Sequence, residues 1–263
     1  MSSTDLRRWF NSTREFTVPL IALVVLMLIW EVCCRFFEIP EYLLPAPSRI
    51  VEDTAAMGWV VGDHTLATLR TILYGFVLSI AVSLPLAVLI ASSRLFADAI
   101  YPLLVLTQSV PKVAIAPILV VILGPNELPR VIVTFLVAFF PLVISITAGL
   151  MAVPSELVEL SRSCRASKLQ ELLRIRLPYS IPFLFSGLKV AIALSVVGAV
   201  VGEFVAAERG LGYLITSATA FFKVPVAFGA MLILAILGIV LFQAIVVVER
   251  VFFPWAAAEE RRT

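Results

Sequence analysis

Residues 131–153 read VIVTFLVAFFPLVISITAGLMAV, an uncharged run that is long enough to cross a bilayer as a helix. The chain then becomes polar, and residues 159–178 read ELSRSCRASKLQELLRIRLP, in which Arg, Lys and Glu alternate with Leu. Another apolar run starts at Ile181. A cationic loop between two membrane spans is retained in the cytoplasm. This pattern predicts an α-helical membrane protein whose cytoplasmic loop can dock a soluble partner.

The composition of the whole chain agrees with this interpretation. Of its 263 residues, 61% are hydrophobic and 14% are charged, and the mean hydropathy is +1.05, far from the average of soluble domains. We expect an all-α membrane protein with about six transmembrane helices, because a helical span needs about 20 apolar residues. The first run is short and needs Val32 to Cys34 to complete a crossing. The runs are residues 16–30, 71–93, 99–124, 131–153, 181–201 and 224–248.

The distribution of Lys and Arg predicts the orientation of these spans. If the N-terminus lies in the cytoplasm, the inner loops carry most of the cationic residues, as the positive-inside rule requires. Both termini are then cytoplasmic. We expect a cytoplasmic N-terminal segment at residues 1–15, a transmembrane domain at 16–253 with a cytoplasmic loop at 154–178, and a cytoplasmic tail at 254–263.

Two external segments are expected to contain short helices. Residues 38–69 begin with several prolines and should be irregular before an interfacial helix forms around residues 48–57, with Ser48 as its N-cap. Residues 206–225 combine a glycine turn with a moderately apolar stretch. We expect a short helix there that lies over the outer mouth as a gate or a docking surface.

The third span is interrupted by proline. Pro102, Pro111 and Pro117 each remove a backbone hydrogen bond and can bend the helix. In a membrane, such breaks persist only where protein or a water-filled cavity satisfies the freed carbonyls. This span should therefore face the protein interior.

Lys112 lies near the centre of the same span, beside Gln108. A charge within the membrane costs at least about 2.5 kcal/mol, so Lys112 should face a cavity or a partner. It can line the passage of a small anionic or polar solute together with Gln108, or pair with Glu203, or bond the freed carbonyls, or snorkel to the membrane surface. Lys189 is expected to snorkel to the cytoplasmic surface, and Glu203 to stabilise the gate.

The fifth span carries small residues at helical spacing, and Gly198 and Gly202 form a GxxxG motif. Such a motif allows close helix contact, either within one subunit or between two copies.

The sequence lacks the motifs of several enzyme classes. It has no G-x-x-x-x-G-K-[ST] phosphate loop, so we expect that this chain does not by itself bind and hydrolyse ATP by that mechanism. His64 is the single histidine, which disfavours zinc sites and His-based catalysis, and we expect it to have no special role. An intramembrane enzyme is therefore disfavoured, and no metal site is expected.

The cationic loop should form two short helices. The first should start at Pro154-Ser155, with Glu156 and Glu159 near its positive end. The second should run from residue 168 to 175 and end at Leu177-Pro178. Their apolar stripes suit both a docking surface and a lipid-facing amphipathic helix, so the residues alone leave both possibilities open. The stripes comprise Leu157, Leu160, Cys164, Leu169, Leu172 and Leu173.

The loop resembles the cytoplasmic signature of permease subunits from binding-protein-dependent ABC importers, which reads E-A-A, three residues, G, and a later proline. Glu159 matches the Glu, and Leu160 and Ser161 stand at the two alanines. Arg165 stands at the Gly, where we expect an ordinary backbone conformation in place of the tight turn that glycine allows. Ala166, Ser167 and Pro178 follow as in many members.

The resemblance covers about residues 65–249. Residues 110–150 and 200–215, the latter VVGEFVAAERGLGYLI, look like the nitrate, sulfonate and taurine branch of that superfamily. It implies a type I importer fold in the bacterial cytoplasmic membrane, with a second permease copy in a homodimer, a cytoplasmic ATPase dimer that holds ATP and Mg, and an extracytoplasmic substrate-binding protein. This chain would then bind no cofactor and no nucleic acid.

The resemblance further implies import by alternating access, with the loop as the point of coupling to the ATPase. The branch implies nitrate, alkanesulfonates, taurine, aromatic acids, or heterocycles such as thiamine-precursor pyrimidines and riboflavin as solutes. The competing hypothesis is a self-contained secondary carrier or channel, in which Lys112 and Glu203 would form an ion-coupled site.

Overall fold

The computed structural model describes residues 3–259, with the side chains of residues 17–19, 21–93, 95–161, 163–205 and 207–256. Every regular element in that range is helical, as expected. The α-helices are α1 (Ser3–Phe36), α2 (Pro47–Ala56), α3 (Trp59–Ser92), α4 (Arg94–Thr107), α5 (Ala116–Leu123), α6 (Glu127–Met151), α7 (Ser155–Ser163), α8 (Lys168–Glu171), α9 (Leu177–Ala206), α10 (Leu211–Ala220), α11 (Val224–Phe252) and α12 (Pro254–Glu259).

The number of membrane spans agrees with the prediction. Within the described residues, five helices are long and apolar enough to cross a membrane, and a bent pair of helices makes a sixth candidate. The second span is longer than its apolar core, because α3 starts at Trp59, before the uncharged run begins.

The third span is broken, as its prolines indicate. Its two halves, α4 and α5, meet at an angle of 80°. Pro111 lies at the break and precedes a 3₁₀ turn at Lys112–Ile115. Pro102 stays inside α4, and Pro117 lies in the first turn of α5, where a missing N–H costs little.

The chain divides into two compact units. The first takes in the described residues up to Val61 together with Ile215–Met231, and the second takes in Gly62–Leu214 and the described residues from Leu232 onward.

In the first unit, Ser48 has a different role from the predicted N-cap. The helix α2 starts with Pro47, and its N-cap position is Ala46, which makes no side-chain cap. Ser48 instead donates its hydroxyl to Glu31 Oε1 at 2.7 Å and its backbone N–H to Glu31 Oε2 at 3.0 Å. Arg35 also donates to Glu31 Oε1. The pre-set backbone angle of Pro47 starts the helix one residue early and frees Ser48 to hold α1.

The second unit is built on α3, α6 and α9, and the α6–α9 pair is its most extensive helix contact. The helices α6 and α9 run antiparallel, since Gly149 meets Phe183 at one end and Arg130 meets Gly202 at the other. The helices α3 and α6 run parallel, since Gly75 meets Thr134 and the later Ser83 bonds the carbonyl of Phe139. The packed interior is apolar and includes Ile72, Phe76, Leu142, Ile146, Leu150 and Ile192.

The two glycines of the GxxxG motif lie against α6 of the same chain. A Cβ atom on Gly198 would stand 2.8 Å from the Cα of Thr134, and one on Gly202 would stand 2.9 Å from the Cα of Arg130. Since real Cβ atoms do not approach backbone so closely, glycine is what permits the α6–α9 distance.

Lys189 does not snorkel as expected. Its Nζ pairs with Glu249 Oε2 of α11 at 2.8 Å, and the two side chains are only 11% and 3% exposed. A buried charge is tolerated when it is paired with an opposite charge. Glu249, which directly follows the apolar run of residues 224–248, is the partner of Lys189.

Candidate coupling loop and the opposite end of the bundle

The segment between α6 and α9 forms an elbow of two short helices, and the first of them starts at Ser155, as predicted. It ends in a Schellman-type turn, in which the Ala166 N–H donates to the carbonyl of Ser161 at 2.9 Å. Arg165 occupies the left-handed position of this turn, with φ +54°. The expectation of an ordinary conformation for Arg165 is therefore wrong. The hydrogen bonds of the turn hold an arginine in the backbone geometry that glycine adopts most easily.

The second helix of the elbow also differs from the prediction. Ser167 caps α8 through a capping box with Gln170. The helix does not end at Leu177-Pro178, because a π-helical turn at Leu172–Arg176 carries it directly into α9. Pro178 lies in the first turn of α9, and the whole stretch Lys168–Val205 is one candidate span. No loop therefore separates α8 from α9.

Arg176 fixes the elbow to the end of α6. Its guanidinium makes an ion pair with Glu171 at 2.7 Å and donates to the carbonyl of Leu150 at 3.1 Å. The Arg176 and Glu171 side chains are 21% and 13% exposed. This partly buried pair satisfies one of the carbonyls that the C-terminus of α6 leaves free. The elbow is therefore linked to both helices of the central pair.

The outer surface of the elbow combines apolar and charged side chains. Leu160 in α7 is 60% exposed, Leu169 in α8 63% and Leu173 in the π-helical turn 53%. Glu156 and Glu159 are exposed on α7. We call this set the coupling surface. Cys164, Arg165 and Ser167 are exposed beside it, Ala166 is half-buried, and Ser161 is buried and bonded to the carbonyl of Val158.

The break in the third span brings Lys112 close to Gln108. The Lys112 ammonium donates to the Gln108 carbonyl at 3.1 Å and lies 4.7 Å from the ring centre of Phe140. Among the described residues, no ion pair joins Lys112 to Glu203. The alternative in which Lys112 bonds a freed carbonyl matches the structure, and a role in the passage stays a prediction.

Glu203 lies at the end of the bundle opposite the elbow, where it holds the start of α10. The N–H groups of three successive residues are each bonded by a side chain: Gly210 by His64 at 3.0 Å, Leu211 by Thr68 at 2.8 Å and Gly212 by Glu203 at 2.8 Å. We call Glu203, Thr68 and His64 the clamp. Thr68 also donates to Glu203 at 3.1 Å. The clamp satisfies the N–H groups that every helix start leaves free.

Sequence reasoning missed two members of the clamp. His64, expected to have no special role, accepts from Gly210 and stacks on the ring of Tyr213 at 5.8 Å. Thr68 is fully buried. The sequence does place His64 and Thr68 four residues apart, so that both lie on one face of α3, and this spacing could have indicated that they act together. Gly210 has φ +127°, and a Cβ there would collide with the Glu203 carboxyl group.

Residues 83–256 match the family described as binding-protein-dependent transport system inner membrane component. The chain belongs to this family. It is a permease subunit of a transporter and a multi-pass protein of the inner membrane.

Two curated relatives support this assignment along most of their length. A formylaminopyrimidine transport permease of Halalkalibacterium halodurans is 37% identical over 238 residues, which are 90% of this chain and 95% of the relative. A nitrate import permease of Synechocystis is 28% identical over 247 residues, 90% and 89% of the two chains. The resemblance to ABC importer permeases is thus confirmed, and a self-contained carrier is not favoured.

The fold of the permease is also known from a solved structure. A chain of the MetNI methionine ABC transporter, in an inward-facing conformation, superposes with a TM-score of 0.65 at 20% identity. The match covers 74% of this permease and 97% of that chain. The expected type I importer fold is confirmed.

Proposed function

We propose that this permease is driven by a separate cytoplasmic ATPase dimer that binds the coupling surface. The observation that carries the proposal is the elbow, which exposes Leu160 and Glu159 while Arg176 joins it to α6 and an unbroken helix joins it to α9. Force applied to such an elbow reaches both central helices. Exposed leucines flanked by charge suit a protein interface with an apolar centre and a polar rim.

Because the ATPase is cytoplasmic in this proposal, the elbow that it binds lies in the cytoplasm, and so do both termini. ATP and Mg then belong to the ATPase, and this chain holds no cofactor. ATP binding closes the ATPase dimer, moves the elbow and opens the bundle toward an extracytoplasmic binding protein that delivers the solute. Hydrolysis returns the bundle to the inward-open state.

A second copy of this permease completes the assembly in our proposal. The broken span exposes apolar side chains on both halves, with Leu106 66% exposed in α4 and Val121 86% exposed in α5. Broken backbone at membrane depth is tolerated where protein or a water-filled cavity covers it. A homodimer, in which the broken spans face one another and Lys112 and Gln108 line the passage, meets this requirement.

We infer a small polar solute of the heterocyclic type. The similarity to the formylaminopyrimidine permease, 37%, exceeds that to the nitrate permease, 28%, over nearly the same part of this chain. The binding protein sets most of the specificity in such an assembly, so the solute is tested on it directly.

The proposal is tested by gentle detergent extraction of the native assembly, followed by identification of the bound proteins. We expect an ATPase with a phosphate-loop motif and two permease copies, and a binding protein that binds a formylaminopyrimidine. A permease that purifies alone and transports without ATP would overturn the proposal.

A further inference from the structure

The end of the permease opposite the elbow contains a polar cavity of about 360 Å³. Three segments of the second unit line it: the start of α3, the start of α6 with the preceding turn, and the turn after α9. Its volume lies within the range of pockets that bind small molecules. Its charged lining residues are Asp63, Arg70, Glu127, Arg130, Glu208 and Arg209.

The six charged side chains of this lining do not form ion pairs of 4.0 Å or less with one another in the described part of the chain. Five of the six side chains are exposed toward water. Exposed charges of this kind can be solvated singly, so they alone would not indicate a ligand.

Arg130 differs from the other five because it is buried, with 9% exposure. Its Nη1 donates to the carbonyl of Arg209 at 3.3 Å, while its Nε is buried and has no hydrogen-bond partner among the described residues. The nearby buried carboxyl group of Glu203 bonds Gly212 and Thr68 through its Oε2, while its Oε1 is also buried and has no hydrogen-bond partner among the described residues. A buried guanidinium that is only partly satisfied is costly unless a further group shares its charge.

We propose that this cavity is a subsite for the transported solute and that it accepts a small molecule with both hydrogen-bond donors and acceptors, such as an aminopyrimidine amide or a zwitterion. Arg130 and Arg209 donate to carbonyl, ring-nitrogen or oxyanion acceptors of the solute. Asp63 and Glu208 accept from its amino or amide groups. The proposal rests on the function proposed above and narrows its substrate class.

The mixture of charges argues against a simple inorganic anion. Three carboxylates line the cavity together with the three arginines, so the lining has no net positive charge. An anion such as nitrate would be attracted by the arginines and repelled by the carboxylates. A solute with both kinds of group satisfies both kinds of side chain.

The test is direct binding to the native permease–ATPase assembly in nanodiscs, without the binding protein. The probes are a formylaminopyrimidine and taurine, each detected by saturation-transfer NMR from the protein, with nitrate as a competitor. We expect binding of at least one probe, no displacement by a tenfold excess of nitrate, and roughly tenfold weaker binding in Arg130→Gln, the loss expected for one charged hydrogen bond.

Two further variants keep the test decisive if Arg130→Gln does not assemble. Asp63→Asn and Arg209→Gln change exposed lining residues, and each should weaken binding of the probe. Arg250→Gln, an exposed arginine in the last turn of α11, is the matched control and should bind as the unaltered protein does.

Three results would overturn the subsite: neither probe binds, nitrate displaces the bound probe, or the cavity variants bind the probe as tightly as the unaltered protein does. Because the binding protein is left out, these results are independent of ATPase coupling. An assembly that couples ATP hydrolysis to transport and yet binds neither probe here would leave the proposed function intact and remove the subsite alone.

Discussion

Glu203 Oε2 accepts a hydrogen bond from the backbone N–H of Gly212 at 2.8 Å, so a carboxylate of α9 holds the first turn of α10. Glu203 is 1% exposed, and Thr68 donates to the same oxygen. Its carboxyl group lies at the positive end of a helix, whose free N–H groups compensate part of the cost of its burial. The carboxyl group of Glu203 fills the space beside Gly210, so no side chain can be added at Gly210 without a collision.

Gly210→Ala should destabilise the permease strongly. The residue has φ +127°, and the added Cβ would collide with the Glu203 carboxyl group. Strain and overpacking together should lower the free energy of unfolding by about 2–4 kcal/mol. Thermal unfolding in detergent, followed by tryptophan fluorescence, measures the effect. Gly62→Ala is the matched control, since a Cβ there meets nothing within 4 Å. Equal melting temperatures for the two variants would contradict the packing described.

Arg165→Gly should stabilise the elbow. Arg165 has φ +54°, a conformation that costs a non-glycine residue about 1–2 kcal/mol, although glycine also gains freedom in the unfolded chain. We expect a net gain of up to about 1 kcal/mol. Hydrogen exchange of the Ala166 amide, which bonds to Ser161, should become slower. Lys168→Gly, in the ordinary helical conformation of α8, should instead make exchange faster. Faster exchange in Arg165→Gly would mean that the turn is not left-handed.

The Lys189–Glu249 pair predicts a non-additive response to mutation. Lys189→Met leaves the carboxylate of Glu249 buried without its partner and should cost about 3–5 kcal/mol. The double variant Lys189→Met, Glu249→Leu removes both charges and should recover most of that loss. Melting temperatures of the two single variants and the double variant complete the cycle. Additive losses would show that the two side chains do not interact.

Lys112→Met should reduce uptake while the assembly remains intact. The ammonium bonds the Gln108 carbonyl and lies over Phe140, so its loss removes the one cation at the break in the third span among the described residues. We expect roughly a tenfold lower rate, the effect of one interaction of about 1.4 kcal/mol in the transport barrier. Lys112→Arg keeps the charge and serves as the control. Unchanged uptake in Lys112→Met would assign the lysine a purely structural role.

The sequence predicted the features that depend on composition and spacing. The apolar runs predicted the spans, the three prolines of the third span predicted a bend that the structure places at Pro111, and Glu159 with its neighbours indicated the family. These features are local, because a run of about 20 apolar residues requires a membrane helix wherever it occurs in the chain.

The failures depend on contacts between distant residues or on backbone hydrogen bonds. Ser48 suited an N-cap, but Glu31, 17 positions earlier, accepts its hydroxyl. Lys189 was expected to snorkel, but Glu249 of another helix pairs with it inside the bundle. Arg165 adopts a glycine conformation because the Schellman turn fixes it, which residue type alone does not reveal.

We propose that the coupling surface passes the energy of ATP hydrolysis from the ATPase to the membrane helices. The most direct test is ATP-dependent solute uptake and ATP hydrolysis by the purified assembly in proteoliposomes, comparing Glu159→Lys with the unaltered permease. Asp98→Lys, an exposed acid near the start of α4 and outside the elbow, is the matched control. We predict that Glu159→Lys assembles in the membrane but loses uptake and its coupled hydrolysis, while Asp98→Lys retains both. Normal coupled uptake in Glu159→Lys would show that the coupling surface does not pass energy from the ATPase to the membrane helices.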